Sequence, residues 1–347
     1  MAVNVFLSSR VWIEPLNAFG VRHHLAALYD EVFRGHDVRM YPKRREGHLL
    51  TEGVRHLPTL LLGEINVITQ GYPVLSGALA CGIRRNASLI VHTWKVPGIS
   101  DRRLTAQAYD VMLRCVIDRA RAVVVASHNQ RRQIKALGIN SAVVFAPVTV
   151  DSTFWHPEPY KMDAELARFG LQRDNYVLTV GGRDRDELYG ARLGRELGMM
   201  YVRATYMPAS AVRRIQTELA QHGLGACSKL LEYPSDVELR ALYAGAHVVC
   251  LPTITRTNPA GLSALVEAMA CGALVGIPES LAEGYVIDES NGLVLNDVPE
   301  QFAARLTDME QRIHLIRSAA RQYAEERLNV VLVGSHLRSM LLGTKSV

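Results

Sequence analysis

The stretch of this chain richest in chemistry runs from Tyr243 to Asn296. An apolar run, His247–Leu251, leads into the polar loop Thr253-Ile254-Thr255-Arg256-Thr257-Asn258-Pro259-Ala260, and Gly261 then opens a helical pattern. Such a junction is an anion site. The first amides of a helix have no partner within the helix and point outward, and a glycine lets the backbone approach a ligand closely. A diphosphate fits there. Glu267 lies about one and a half turns further on, too deep to cap the helix. Facing the same gap, its carboxylate could accept hydrogen bonds from ribose hydroxyls; facing outward, it is an ordinary surface glutamate. His92 follows the apolar run Leu89-Ile90-Val91 and so sits at the carboxyl end of a strand. A neutral imidazole there can exchange a hydrogen bond with a ligand, or serve the fold alone. Asp184-Arg185-Asp186 reads as D-x-D, a string that elsewhere holds a metal on a nucleotide-sugar, but the flanking arginines oppose a cation. No metal site is expected.

These residues need a scaffold, and the hydrophobic pattern describes one. Short β-rich runs alternate with helical periodicities, the mark of parallel sheets with helices on both faces. Strands are expected at Val3–Leu7, Val38–Tyr41, Ile65–Thr69, Ser88–His92, Ala122–Ala126 and Ala142–Phe145. Between them lie helical patterns at Val21–Phe33, from Pro73 to Cys81, and at Leu104–Arg119, the last with a stripe of Leu104, Ala108, Val111 and Cys115. Ser127 is placed to cap a helix over Gln130–Leu137, and Gly138 ends it. The segment from Pro147 to Pro159 has no period and reads as a linker. The pattern then restarts with strands at Tyr176–Val180, Met200–Thr205, Lys229–Glu232, His247–Leu251 and Leu274–Ile277. Helices are expected at Val237–Ala244, Leu262–Cys271, Gln301–Leu306 and Ile313–Leu328. At 347 residues the chain suits two domains, 1–155 and 156–329, with a C-terminal helix over 330–347 packing back on the first.

Charge divides between the halves. The net is +5, yet residues 1–150 carry 19 Lys/Arg against 10 Asp/Glu, a net of +9, and the remainder is −4. Lys43-Arg44-Arg45, Arg34, Arg39, Arg102-Arg103 and Arg131-Arg132 make up much of that surplus. It suits a membrane surface or an anionic acceptor; a nucleic-acid acceptor stays open, although no zinc-finger or RNP-type motif favours it. No apolar run reaches the roughly 20 residues that span a bilayer, and the N-terminus lacks a signal-peptide pattern. Five scattered cysteines without C-x-x-C spacing read as reduced, buried thiols. A cytoplasmic location follows, with peripheral membrane attachment open.

Three segments closely resemble the C-terminal domain of GT-B glycosyltransferases of family 4. They are Ala241 to Pro252, Asn258-Pro259-Ala260-Gly261-Leu262 and Glu267-Ala268-Met269-Ala270-Cys271-Gly272. Asn291-Gly292-Leu293-Val294 looks like the same family, and Tyr176–Gly182 looks like its domain-opening strand and glycine turn. Over residues 1–150 the likeness is weaker: Gly20 to Leu28 looks like the family's glycine turn and helix start, and Ser127 to Gly138 like one of its helices.

The resemblance implies two Rossmann-like domains facing an interdomain cleft, the C-terminal one binding the nucleotide-sugar. It implies a hexosyltransferase-like enzyme that transfers sugar with retention, without cofactor or metal, to an acidic, lipid-linked or polymeric acceptor. Arg183 and Arg185 take the places of the family's Arg and Lys on the donor diphosphate, where cations stabilise the leaving group. His92 falls near the donor sugar, completing the catalytic set. Gly20, Gly182, Asn258, Gly261 and Leu262 line the donor, and Glu267 holds its ribose as the second Glu of E-x7-E. The first Glu of that motif is Pro259 here, which leaves the choice of sugar open. Two other functions remain: a sugar-nucleotide epimerase of the same architecture, for which no convincing acid/base pair is evident, and a non-catalytic nucleotide-sugar binding protein. A dehydrogenase is set aside, because Ser8-Ser9-Arg10 follows the first strand where G-x-G-x-x-G is needed.

Overall fold

The computed structural model describes residues 2–6, 24–41, 59–60, 64–69, 89–93, 96–97, 104–182, 184–254 and 260–342. The chain divides into two compact units: residues 1–147 with 257–259 and 330–347, and residues 148–256 with 260–329.

The N-terminal unit is built on six parallel strands: β1 Ala2–Phe6, β2 Asp37–Tyr41, β3 Ile65–Thr69, β4 Leu89–Thr93, β5 Ala122–Val125 and β6 Ala142–Phe145. They lie in the order β2-β1-β3-β4-β5-β6. Successive side chains of a strand point to opposite faces, so these near-continuous apolar runs feed two cores. Val3, Val5, Val67, Ile90 and Val124 join Leu28, Tyr29 and Val32 of helix α1, His24–Val32. Phe6, Ile68, Val91, Val123 and Val125 join Leu113, Val116 and Ile117 of α2, Leu104–Arg119.

In α2 the structure corrects the expected stripe. Val111 is 71% exposed and Ala108 is exposed, while Leu113, Val116, Ile117 and Ala120 face the core. Two apolar stripes share this helix, and the one with more branched bulk in its second half is buried. Helix α3, His128–Ala136, starts two residues before Gln130, with the Ser127 hydroxyl accepting from the Gln130 amide at 3.1 Å. Gly138 closes it at φ +66°. The expected helix from Pro73 to Cys81 lies outside the described residues.

The C-terminal unit holds a second parallel sheet: β7 Tyr176–Gly181, β8 Met200–Thr205, β9 Ser228–Glu232, β10 Val248–Cys250, β11 Val275–Ile277 and β12 Leu293–Val294. Its order is β12-β11-β10-β7-β8-β9, the two-winged order of a Rossmann sheet. Around it lie α4 Pro159–Arg168, α5 Glu187–Glu196, α6 Ala209–Gln221, α7 Asp236–Gly245, α8 Leu262–Ala270, α9 Glu279–Ala282, α10 Pro299–Asp308 and α11 Ile313–Arg327.

Helices α4, α5 and α6 escaped the periodicity. In α5 the reason is visible: Gly190 and Gly194 thin its apolar stripe but let the helix close on β8. A Cβ at Gly190 would meet the Tyr201 ring at 2.6 Å. The expected linker is largely structured. Val150 donates its amide to Leu328 O at 3.0 Å, and the buried Trp155 ring lies 5.9 Å from that of Tyr243. These contacts explain why the unit boundary falls at 147/148, ahead of 155/156.

Helix α12, Val330–Leu342, belongs to the N-terminal unit. Val333, Leu337 and Leu341 enter the core with Leu28 and Val32, and Gly334 gives room for Glu31, whose Cγ would lie 2.5 Å from a Cβ there. Among the described residues no helix is long and apolar enough to cross a membrane. The four described cysteines are free thiols. Cys250 and Cys271 are buried, whereas Cys115 and Cys227 are half-buried, unlike the expectation for all five.

Candidate functional site

In the C-terminal sheet the strand order reverses between β7 and β10. Connections leave these neighbours in opposite directions, so a crevice opens at their carboxyl ends. The two loops that bound it are tied together. Asp186 donates its amide to Pro252 O at 2.8 Å, Ile254 donates to Asp184 O at 3.3 Å, and Arg185 bridges to Thr253.

Arg185 sits inside this junction, 4% exposed. Its Nε donates to Val180 O at 3.0 Å and its Nη1 to Asp184 O at 3.3 Å. The Nη2 end lies between Gly181 and Gly261, close enough that a Cβ on either glycine would stand 2.8 Å from it. Both glycines also adopt left-handed backbone, φ +125° and +105°. Glycine is therefore required twice at each, for conformation and for space. Burial, and next the neighbouring Arg203, lower the guanidinium to about 10, so it stays a cation at neutral pH.

Gly261 is also the N-cap of α8, and as a glycine it has no side chain with which to cap that first turn. The first amides of α8 and the Arg185 cation together make this junction electropositive. On the same helix Glu267 is half-buried and accepts a hydrogen bond from the Tyr243 hydroxyl at 3.0 Å. Burial pushes its carboxyl up to about 8, with Asp236 adding to the rise and the Tyr243 bond opposing it.

A second arginine, which the sequence reading passed over, holds the turn from behind. Arg203 of β8 donates Nε to Glu187 Oε2 at 2.8 Å, Nη2 to Gly182 O at 2.8 Å and Nη1 to Ala204 O at 2.9 Å. Tyr201 donates its hydroxyl to the same carboxylate at 2.8 Å. The signal was present: an arginine between Val202 and Ala204 in an apolar strand must find a buried partner. Asp186 of the D-x-D string is used by the fold, its Oδ1 accepting the Tyr189 amide at 3.0 Å as the N-cap of α5.

Arg185 and Gly261 thus meet at the switch point, with Gly182 following Gly181 in the turn, Leu262 opening α8 and Glu267 further along it. Leu262 is buried and offers that junction only its backbone. His92 belongs to the N-terminal unit, within β4 and buried, with Nδ1 2.9 Å from the Tyr29 hydroxyl. Burial lowers it to about 4, so the ring is neutral at working pH. Arg183, Asn258, Pro259 and Gly20 lie outside the described residues. Among the described residues no three His, Cys, Asp or Glu side chains gather to hold a metal.

Residues 209–336 match the family model of glycosyl transferases group 1. No curated protein matches the chain. Solved structures match over nearly its full length. Anabaena Alr3699/HepE in complex with UDP and glucose is 17% identical, with 99% of this chain and 100% of that one covered and a TM-score of 0.76. Sucrose-phosphate synthase from Thermosynechococcus elongatus is 13% identical, with 99% and 100% covered and a TM-score of 0.75. A glycosyltransferase from Rickettsia africae is 12% identical, with 99% of each chain covered and a TM-score of 0.70. The chain is a glycosyltransferase of GT-B fold.

In this glycosyltransferase part of the basic surplus of the N-terminal unit is neutralised locally. Arg34 pairs with Glu31, and Arg39 pairs with Asp37 at 2.7 Å. Lys43-Arg44-Arg45 and Arg102-Arg103 lie outside the described residues.

Proposed function

We propose that this enzyme transfers a hexose from a nucleotide-sugar, with retention at the anomeric carbon, as a family 4 member. The observation that carries the reading is the Arg185 guanidinium wedged between Gly181 and Gly261 at the start of α8, where the N-cap is a glycine. That junction supplies a fixed cation and free amides to the diphosphate, and these gain strength as charge grows on the leaving phosphate. Arg183 adds a second cation, the neutralisation a metal supplies in other enzymes. Glu267 takes the ribose hydroxyls, Gly182, Asn258 and Gly20 complete the donor contacts, and His92 serves the sugar or acceptor side. UDP-glucose is the first donor to test, because HepE is solved with UDP-glucose and with UDP and glucose. The acceptor is acidic, lipid-linked or polymeric, and the basic N-terminal unit brings the cytoplasmic enzyme to it at a membrane surface.

Calorimetry with UDP, GDP and ADP tests the site. At least one nucleotide should bind the wild type, and Arg185→Ala and Glu267→Ala should each weaken it at least tenfold. If both variants keep wild-type affinity, the site lies elsewhere. The replacement of the first E-x7-E glutamate by Pro259 favours a second reading, a non-catalytic nucleotide-sugar binder. Donor turnover by purified protein, with the anomeric configuration of the product read by NMR, separates the two.

A further inference from the structure

Tyr243 of α7 is held at both ends. Its hydroxyl donates to Glu267 Oε2 at 3.0 Å, and its ring lies 5.9 Å from that of Trp155, tilted by 64°. Both aromatic residues are buried. Trp155 is fixed in turn, its ring meeting that of Phe154 edge to face at 5.1 Å. Arg240 stands one turn before Tyr243 on α7. It donates Nη1 to Phe154 O at 3.0 Å and lies 5.0 Å above the Phe154 ring. The segment ahead of α4 is thus strapped to the helix that carries Tyr243.

A buried phenol needs a hydrogen-bond partner, and a backbone carbonyl is enough. Tyr176, equally buried, takes that course and donates to Leu242 O at 2.7 Å. Tyr243 takes a carboxylate, which costs more to bury than a carbonyl. Among the described residues its hydroxyl is the only hydrogen-bond partner of the Glu267 carboxylate. That bond limits rotation of the carboxylate and leaves Oε1 for a ligand. It also favours the ionised form, against burial and the nearby Asp236. Ionised, the group only accepts, as a pair of ribose hydroxyls requires; protonated, it must itself donate. The other titratable groups that interact with Glu267 are Tyr206 after β8 and Cys271 after α8, and both are raised, so they stay neutral where Glu267 titrates.

We infer that Tyr243 is a positioning residue: braced by Trp155, it fixes one oxygen of Glu267, presents the other to the ribose, and so sets how strongly the site prefers a ribose diol. The role rests on the nucleotide-sugar reading above. Tyr243 acts through Glu267 alone.

Calorimetry on UDP, GDP and ADP, each beside its 2′,3′-dideoxy form, tests it. The wild type should bind at least one nucleotide about tenfold more tightly than its dideoxy form, the scale of a hydrogen bond to a charged group. Tyr243→Phe keeps the ring against Trp155 and removes the hydroxyl. It should lose most of that preference and bind the dideoxy form as the wild type does. A merely structural role would weaken both ligands alike; that result overturns the inference, and so does an unchanged preference. Adding Tyr243→Phe to Glu267→Ala should change nothing further, and an additional loss of nucleotide affinity means that the tyrosine acts by another route. In Tyr243→Phe the rise of affinity with pH should move to higher pH, because the bond favouring the carboxylate is gone; a rise left in place also overturns the role. Should that variant melt too low to assay, Trp155→Phe carries the test, since it frees the Tyr243 ring and should lose part of the preference. An intact preference there overturns the inference. If the wild type binds nucleotides and their dideoxy forms equally, the inference falls while the diphosphate site stands. If it binds none of them, the nucleotide-sugar reading itself fails.

Discussion

Arg203 and Glu187 form a buried ion pair, Nε to Oε2 2.8 Å, whose arginine also donates to the Gly182 carbonyl. Removing one partner of such a pair strands the other charge without water, at a cost of about 3–5 kcal/mol. Arg203→Met should therefore destabilise the C-terminal unit by about that much. The double variant Arg203→Met with Glu187→Leu should recover part of the loss, because no lone charge remains. Urea unfolding followed by Trp155 fluorescence, with Trp12 and Trp94 replaced by Phe, reads this unit. Additive losses in the two single variants and the double variant would show that the pair does not act as one.

The Arg185 wedge makes a sharper forecast. Gly181→Ala and Gly261→Ala each place a methyl about 2.8 Å from Nη2, and each imposes left-handed backbone on alanine. The backbone term alone is worth about 1–3 kcal/mol. Both variants should fold, melt lower than the wild type and bind nucleotide at least tenfold more weakly, since the guanidinium must move. Gly225→Ala is the control, a glycine of the same unit with no positive φ, where a Cβ would stand 3.5 Å from its nearest neighbour, an ordinary contact. Comparable losses in all three would mean that the Arg185 wedge does not set affinity.

Glu267 gives the site a pH dependence. Its carboxyl is raised from 4.5 to about 8, so between those values the folded state binds the extra proton. Stability therefore falls as pH rises through that window, and the contribution is fully present only below the unfolded value. Binding ribose hydroxyls to the carboxylate pulls the proton off. Nucleotide affinity should accordingly rise between pH 6 and pH 8, with proton release visible as a buffer-dependent heat. Glu267→Gln should flatten the pH profiles of stability and of affinity. A wild-type profile as flat as that of the variant would place the titration on another group.

Much of this was readable before the fold was known. Ile65–Thr69, Leu104–Arg119 and Met200–Thr205 match their elements to the residue, because buried parallel strands are dense in Val and Ile and α2 is long. What failed did so for physical reasons. The glycines of α5 hide its stripe, and α2 carries two apolar stripes of which tertiary packing chose one. Ser235-x-x-Glu238 is a capping box that the periodicity of Val237–Ala244 passed over, so α7 begins earlier than expected. At the site Gly261, Arg185 and Glu267 were legible as residue types. Arg203 and Tyr243 were not, because their meaning depends on which elements become neighbours.

The N-terminal unit carries its own titration. His92 is buried against Tyr29 and falls from 6.5 to about 4, so between those values the unfolded chain binds more protons than the folded one. Stability must then rise with pH across that window, and acid must erode it from about pH 6.5 down to about pH 4. His247 in the C-terminal unit is lowered as well, chiefly by burial, and contributes a slope of the same sign. The decisive measurement is therefore a difference. His92→Gln keeps a side chain able to bond the Tyr29 hydroxyl but removes the proton site. Hydrogen exchange of β4 amides should show wild-type protection dropping as pH falls from 6.5 to 4.5, after correction for intrinsic exchange, and a clearly smaller drop in the variant. An identical drop in both proteins would mean that His92 titrates normally and that water reaches its ring.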